Sequence, residues 1–229
     1  MKQSRGLMKQ LLITLTALSV VAAFFVYHQQ SNAAAAEQIN SIKSSVMVNS
    51  RLTQINDQRR ANIDKVVAII SRYNRTMSDS MKYAIANEIY LMSQKYPNLN
   101  IDFIAATITH ESAKTWDPTV VSRVGALGLM QIMPATGAFL AVEEGIPWTT
   151  AERVLFDPIT NIRLGCRYLN DMVALYEKDG GLAAYNGGPR RAEMWLAQNR
   201  NDQILWEETR NYIPAVLKLY DKFRSEGTM

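Results

Sequence analysis

Asn98-Leu99-Asn100-Ile101-Asp102-Phe103-Ile104-Ala105-Ala106-Thr107-Ile108-Thr109-His110-Glu111 is the stretch from which the rest of this 229-residue chain can be read. Ile101, Ile104, Ala105 and Ile108 recur at helical spacing. Asn98–Asn100, just after Pro97, offers an N-cap region. The next position of the stripe is Glu111. An acid on an apolar helix face is costly unless it is paired or neutral. Asp117-Pro118 forbids the helix from running much further, so Glu111 falls near its negative end. The helix dipole and desolvation both oppose ionisation and raise the pKa. A carboxylic acid protonated near neutral pH suits a general acid. A Glu111 that simply ends the helix and faces water fits the spacing equally well.

Downstream, Gly125-Ala126-Leu127-Gly128-Leu129-Met130-Gln131-Ile132-Met133-Pro134 brings two Gly and one Gln into an apolar run. Gly permits close backbone approach, and Gln supplies a donor and an acceptor. Ala183-Ala184-Tyr185-Asn186-Gly187-Gly188-Pro189 reads as a tight turn presenting a Tyr and an Asn. Glu208-Thr209-Arg210-Asn211-Tyr212-Ile213 follows near the end. Singly, each is explained by core filling or turn chemistry.

In this order, Glu111-Ser112, Gly128–Gln131, Ala184–Asn186 and Glu208-Thr209 with Tyr212 resemble the lytic transglycosylase domain of the soluble-transglycosylase type, whose fold goose-type lysozymes share. The resemblance runs from about Asp102 to Tyr220. Asp157-Pro158, Asn161, Gly165 and Tyr168-Leu169 fit the helix between the second and third motifs. One departure stands out. Ser122 follows Glu111 by eleven residues, two more than the family commonly has, with the extra residues around Lys114-Thr115 and Trp116 in place of the family's aromatic.

The resemblance implies a mainly α, lysozyme-like domain of short helices around a groove, with at most a hairpin-like segment in Gly125–Gln131. It implies peptidoglycan glycan strands as substrate, cut between N-acetylmuramic acid and N-acetylglucosamine to leave 1,6-anhydro products. Glu111 would be the single catalytic acid and base. Ser122, Gln131, Met133, Tyr185, Asn186 and Tyr212 would line the sugar groove, with no cofactor and no metal. Glu208 is expected to be structural, His110 to lie on another helix face, and Cys166 to be core. Two other readings stay open. One is a lysozyme-like hydrolase with Asp117 or Glu143 as base, and the other an idle wall-binding anchor of an envelope-spanning apparatus.

Working back toward the N-terminus, the composition changes. Residues 7–96 hold no Gly and no Pro, whereas all four Trp come later. Residues 1–96 carry 12 Lys/Arg against 5 Asp/Glu, a net of +7, and residues 97–229 carry 13 against 16, a net of −3. The basic balance therefore does not belong to the compact half. With no zinc-finger spacing, RNP motif or Gly-rich phosphate loop, a nucleic-acid partner is not expected. One Cys excludes an internal disulfide framework.

Lys2, Arg5 and Lys9 precede the apolar run Leu11–Tyr27, which is long enough to span a bilayer and keeps the N-terminus in the cytoplasm. Residues 1–30 are read as a single-pass anchor in the cytoplasmic membrane. The alternative is secretion after cleavage near Ala33-Ala34-Ala35. From Glu37 to Ser71 apolar residues recur at steps of three and four, interrupted around Asn49 and Gln58–Ala61. Residues 31–96 are read as a helical stalk and lead-in helix, and 97–229 as the catalytic domain outside the cytoplasm. The stalk could also serve an envelope-assembly partner.

Overall fold

The computed structural model describes residues 2–226, without the side chains at 2–5, 7, 10, 11, 33–36 and 39. The charges of Lys2 and Arg5 and the small-residue pattern at Ala33–Ala35 lie outside the described side chains. Eight helices follow one another: α1 (Lys2–Tyr73), α2 (Asp79–Lys95), α3 (Ile101–Glu111), α4 (Pro134–Glu143), α5 (Ala151–Leu155), α6 (Pro158–Gly187), α7 (Pro189–Ala197) and α8 (Glu207–Ser225). Among the described residues there is no strand. The hairpin-like segment reduces to two isolated bridges, Val121 with Leu127 and Leu127 with Ile132.

The chain divides into two compact units, Met1–Asp57 and Gln58–Met229. In the first, residues Leu12–Asn32 form a fully exposed helical stretch of mean hydropathy 1.6, long and apolar enough to cross a membrane. A signal sequence near an N-terminus passes the same test. The interruptions at Asn49 and Gln58–Ala61 do not break α1. Helix continuity follows good local propensity, whereas an apolar stripe reports packing.

The second unit takes in the end of α1, with Val66, Ile69 and Ile70 buried, and α2, with Ile85, Ile89 and Met92 buried. Ser78 caps α2 by accepting from Met81 N at 3.3 Å. Asn100 caps α3 by accepting from Phe103 N at 2.9 Å. Asp157 caps α6 by accepting from Thr160 N at 2.7 Å, and Pro158 occupies the first turn, where its missing N–H costs nothing. α6 is two helical runs meeting at a kink at Glu177. It packs against α2, α7 and α8, and α3 lies along α8. Ion pairs tie the periphery, among them Arg163, which grips the buried Glu88 carboxylate at 2.7 and 3.1 Å, and Arg72, which grips Glu226 at 3.0 Å twice.

α3 is more deeply buried than a one-sided stripe requires. Phe103, Ala106, Thr107 and Thr109 are buried along with Ile101, Ile104, Ala105 and Ile108. The two threonines tolerate this because their hydroxyls donate to Phe103 O and Ala105 O within the helix.

Candidate active site

Glu111 is the last residue of α3, and the chain leaves it through an unusual turn. Ala113, Lys114 and Trp116 all have positive φ, at 51°, 64° and 52°. Non-glycine residues hold such angles only where their surroundings enforce them. Here the enforcing group is Trp116, which is fully buried. Its indole N–H donates to Thr109 Oγ1 at 3.0 Å, its backbone N–H to Ser112 Oγ at 3.1 Å, and its carbonyl accepts from Asn74 Nδ2 at 3.3 Å.

Glu111 is partly exposed as a residue, while its carboxyl is densely enclosed. Burial pushes its pKa up to about 8, against the favourable pull of the Tyr212 phenol and with a further push from the negative charge of Glu208. Tyr212 Oη stands near enough to the carboxyl to favour its ionised form, yet it makes no well-formed hydrogen bond among the described residues and is buried. The Tyr212 ring also meets His110 edge-on at 4.8 Å. His110 is thus tied to the site through Tyr212 rather than set apart on another face. Burial first, then the charge of Lys114, lowers its pKa.

The Gly125–Pro134 run forms a tight loop whose polar groups are largely used internally. Ser122 Oγ accepts from Ala126 N at 2.9 Å. Gln131 sits at φ 48°, and its amide nitrogen donates to Gly128 O at 2.8 Å and Val120 O at 3.2 Å. Its carbonyl oxygen therefore remains as the atom that can meet a ligand, so the side chain offers an acceptor and not also a donor. Met133 precedes α4 and is 43% exposed. Asn161, fully buried, is the pillar behind the loop. It accepts from Met130 N at 2.8 Å and donates to Leu127 O and Leu155 O at 2.9 Å each. A Cβ at Gly128 would collide with Asn161 and Leu155 O. Asn161 reads in the sequence only as part of a helix. Its role becomes visible because Gly128 and a buried Asn occur together.

Tyr185 Oη donates to Met130 O at 2.6 Å, joining the end of α6 to that loop. Asn186 Oδ1 accepts from Thr209 Oγ1 at 2.7 Å, and its amide nitrogen lies 3.5 Å from Glu208 Oε1. Thr209 comes close enough because a Cβ at Gly187 would meet it. Thr209 is the residue that sequence reasoning passed over, although it stands inside the Glu208–Tyr212 motif. Thus Glu111, Tyr212, Glu208 and Asn186 belong to one connected set, Tyr185 is coupled to it through the Glu111 charge while bracing the loop, and Ser122 and Gln131 stand in the loop itself. Cys166 is buried beside Met130 Sδ at 3.9 Å, and burial pushes its thiol pKa up.

The scaffold matches the model of the transglycosylase SLT domain over residues 88–205, just over half of the chain, a span that holds the first three motifs and ends before Glu208. The chain belongs to the transglycosylase SLT domain family. It is 37% identical over 134 residues to the soluble lytic murein transglycosylase of Escherichia coli K12, covering 53% of this chain and 20% of that protein. It therefore spans about a fifth of that relative's length. The crystal structure of the 70-kDa soluble lytic transglycosylase from Escherichia coli superposes with a TM-score of 0.55 at 28% identity, covering 65% of this chain and 26% of that one. The structure of an inactive Glu-to-Gln mutant of lytic transglycosylase Slt from Pseudomonas aeruginosa gives 0.53 at 28% identity, covering 61% and 24%.

Within the SLT domain the carboxylates offered for a hydrolytic base are engaged with other partners. Glu143 faces Arg167 at 3.6 Å, and Asp117 Oδ1 accepts from Thr119 N and Oγ1 at 2.9 and 2.8 Å. Neither bears on the Glu111 pKa, whereas Glu208 does. A cavity of about 800 Å³ opens between the α1–α2 turn and residues 114–118, but none of the expected sugar-groove residues lines it.

Proposed function

We propose that the chain is a membrane-anchored lytic transglycosylase that cleaves peptidoglycan between N-acetylmuramic acid and N-acetylglucosamine, with Glu111 as its single acid and base. The observation that carries this reading is a half-enclosed Glu111 whose carboxyl burial keeps protonated to about pH 8, facing Tyr212 on α8. Protonated Glu111 donates to the glycosidic oxygen as the bond breaks. The substrate's own N-acetyl oxygen stabilises the positive anomeric carbon, with Asn186 and Tyr185 placing that group. Glu111, now a carboxylate lightly held by Tyr212, takes the proton of the muramic 6-hydroxyl. That oxygen attacks the anomeric carbon and closes a 1,6-anhydro ring. No water is consumed, and Glu111 ends protonated. Most glycosidases divide this work between two carboxylates. Returning the proton to the same group favours a pKa near the working pH.

Under the same proposal residues 1–30 anchor the protein, 31–96 form its stalk and lead-in, and 97–229 are the catalytic domain, outside the cytoplasm. The full chain is incubated with purified cell wall and the products are weighed by mass spectrometry. Muropeptides one water lighter than reducing-end products are expected. Reducing ends alone would sink the transglycosylase mechanism in favour of hydrolysis. No turnover by the wild type would favour an idle wall-binding anchor. Fractionation of cells checks the tether: full-length mass in the membrane fraction is expected, and a soluble form lacking residues 1–35 would overturn it.

A further inference from the structure

Asn74 follows the last residue of α1 and stands ahead of the family match, which begins at residue 88. Its side-chain amide works in two directions. Oδ1 accepts from Met77 N at 2.9 Å and from Thr76 Oγ1 at 3.1 Å, which closes the α1–α2 connection. Nδ2 donates to Trp116 O at 3.3 Å, in the turn that leaves Glu111. That is the long end for an N–H···O bond, but it is the one hydrogen bond that this turn receives from another element. Among the described residues, the remaining hydrogen bonds of residues 112–117 stay within residues 108–119. On its outer side the turn borders the cavity of about 800 Å³, where Lys114, Thr115 and Asp117 are exposed.

A turn with three non-glycine residues at positive φ relaxes unless it is held. Trp116 is its wedge, and Asn74 holds the carbonyl of that wedge from the end of α1. Ser112, one position after Glu111, closes α3 with its N–H on Ile108 O and lends its hydroxyl to Trp116 N. When the wedge withdraws, this last turn of α3 loosens and water reaches the Glu111 carboxyl. The same element also meets the start of α3. Lys65 Nζ lies 2.7 Å from Asp102 Oδ1, an ion pair without hydrogen-bond alignment. The end of α1 therefore engages α3 in its first turn and the chain just past its last. We propose that Asn74 is a positioning residue for Glu111, holding the Trp116 turn so that the catalytic carboxyl stays enclosed. The proposal rests on the transglycosylase reading for its kinetic test. It brings the end of α1, which the sequence reads as stalk, into the catalytic machinery.

The test compares the full chain in detergent with Asn74→Ala, Asn74→Ser and a control, Ile85→Val, which trims one methyl from the buried face of α2. On purified cell wall Asn74→Ala should lower kcat about fivefold and leave KM within about twofold, because proton transfer suffers rather than binding. The alkaline limb of its kcat/KM should fall about 0.5–1 in pH below that of the wild type, as enclosure of the carboxyl is lost. Asn74→Ser retains an acceptor for Met77 N and is too short to reach Trp116 O, so it should melt closer to the wild type and shift the limb as far as alanine does. Ile85→Val should melt lower and leave the limb in place. The titratable groups around the carboxyl are Tyr212 and Glu208 on α8, Tyr185 on α6, and His110 and Lys114 on its own segment. None is altered in any variant, so a shifted limb reports enclosure. A limb that stays put in either Asn74 variant, or moves as far in Ile85→Val, overturns the proposal. If the wild type does not cleave cell wall, the transglycosylase reading fails by itself. The positioning role is then decided by titrating the carboxyl carbon NMR signal of Glu111, assigned by its absence in Glu111→Gln. A lower midpoint in both Asn74 variants than in the wild type supports it, and equal midpoints overturn it.

Discussion

Tyr212 and Glu208, both on α8, act on the Glu111 carboxyl in opposite directions. The phenol of Tyr212 favours the carboxylate, while the charge of Glu208 favours the acid, and burial dominates both. The pH dependence of kcat/KM follows. The free enzyme must carry the proton, so activity is expected to hold through neutral pH and fall on an alkaline limb near pH 8. Tyr212→Phe should move that limb to higher pH and lower kcat/KM several-fold, by loss of the phenol's stabilisation of the Glu111 carboxylate. Glu208→Gln should move it to lower pH. Limbs that move together, or not at all, in the two variants would contradict this arrangement.

Glu111→Gln should abolish turnover and retain binding to cell wall, measured by co-sedimentation. Its stability should also differ from the wild type in a pH-dependent way. A carboxyl whose folded pKa is about 8, against an ordinary 4.5, binds its proton more tightly in the folded state. The group leaves stability untouched below about pH 4.5, and stability falls as pH rises toward and through about 8. Glutamine carries no such cost. The variant should match the wild type at low pH and exceed it by about 1–2 kcal/mol above pH 8, a figure discounted because the residue as a whole is partly exposed. Denaturant midpoints at several pH values check this, and a gap that shrinks as pH rises would refute it.

Asn186 is held from behind by Thr209, and Thr209 can approach only because Gly187 has no side chain. Thr209→Val keeps the shape and removes the donor. It should reduce kcat/KM several-fold, at a stability cost of about 1 kcal/mol. Gly187→Ala should separate α6 from α8 and cost more in both respects. Kinetics and thermal melts of the two variants rank them, and the reverse order would show that the hydroxyl matters more than the close approach.

The outline of α3 was legible because its signals are local. Asn100 caps it, the apolar period runs through it, and it stops at Glu111 ahead of Asp117-Pro118. The same holds for α2 and for the start of α6 at Asp157-Pro158. What escaped the sequence depends on contacts between distant residues. The Gln131 amide looks equally able to give and accept until the turn at φ 48° directs its nitrogen to Val120 O and Gly128 O. Trp116 reads as an aromatic near the site. Its role as a wedge emerges only when Thr109 and Asn74, the latter 42 positions away, reach it. The continuity of α1 is not legible in an apolar stripe, because Val46, Val48 and Leu52 on either side of Asn49 are exposed and the helix there follows local propensity.

Asn161 gives the sharpest stability test because its side-chain amide is fully used. Its oxygen accepts from Met130 N and its nitrogen donates to Leu127 O and Leu155 O, all at 2.8–2.9 Å in a buried setting. Asn161→Ala would leave one buried N–H and two buried carbonyls without these partners. At about 1–3 kcal/mol for each group, offset by water entering the space left, the expected loss is about 3–5 kcal/mol. Asn161→Asp is the informative companion. It retains the acceptor for Met130 N but puts unneeded lone pairs and charge against two carbonyl oxygens, so it should be no better than alanine near neutral pH and should improve as pH falls and the carboxyl gains a donor proton. Urea unfolding at pH 5 and pH 8 distinguishes these outcomes. A small loss in Asn161→Ala, or an Asn161→Asp variant indifferent to pH, would mean that the loop carrying Gln131 does not depend on this pillar.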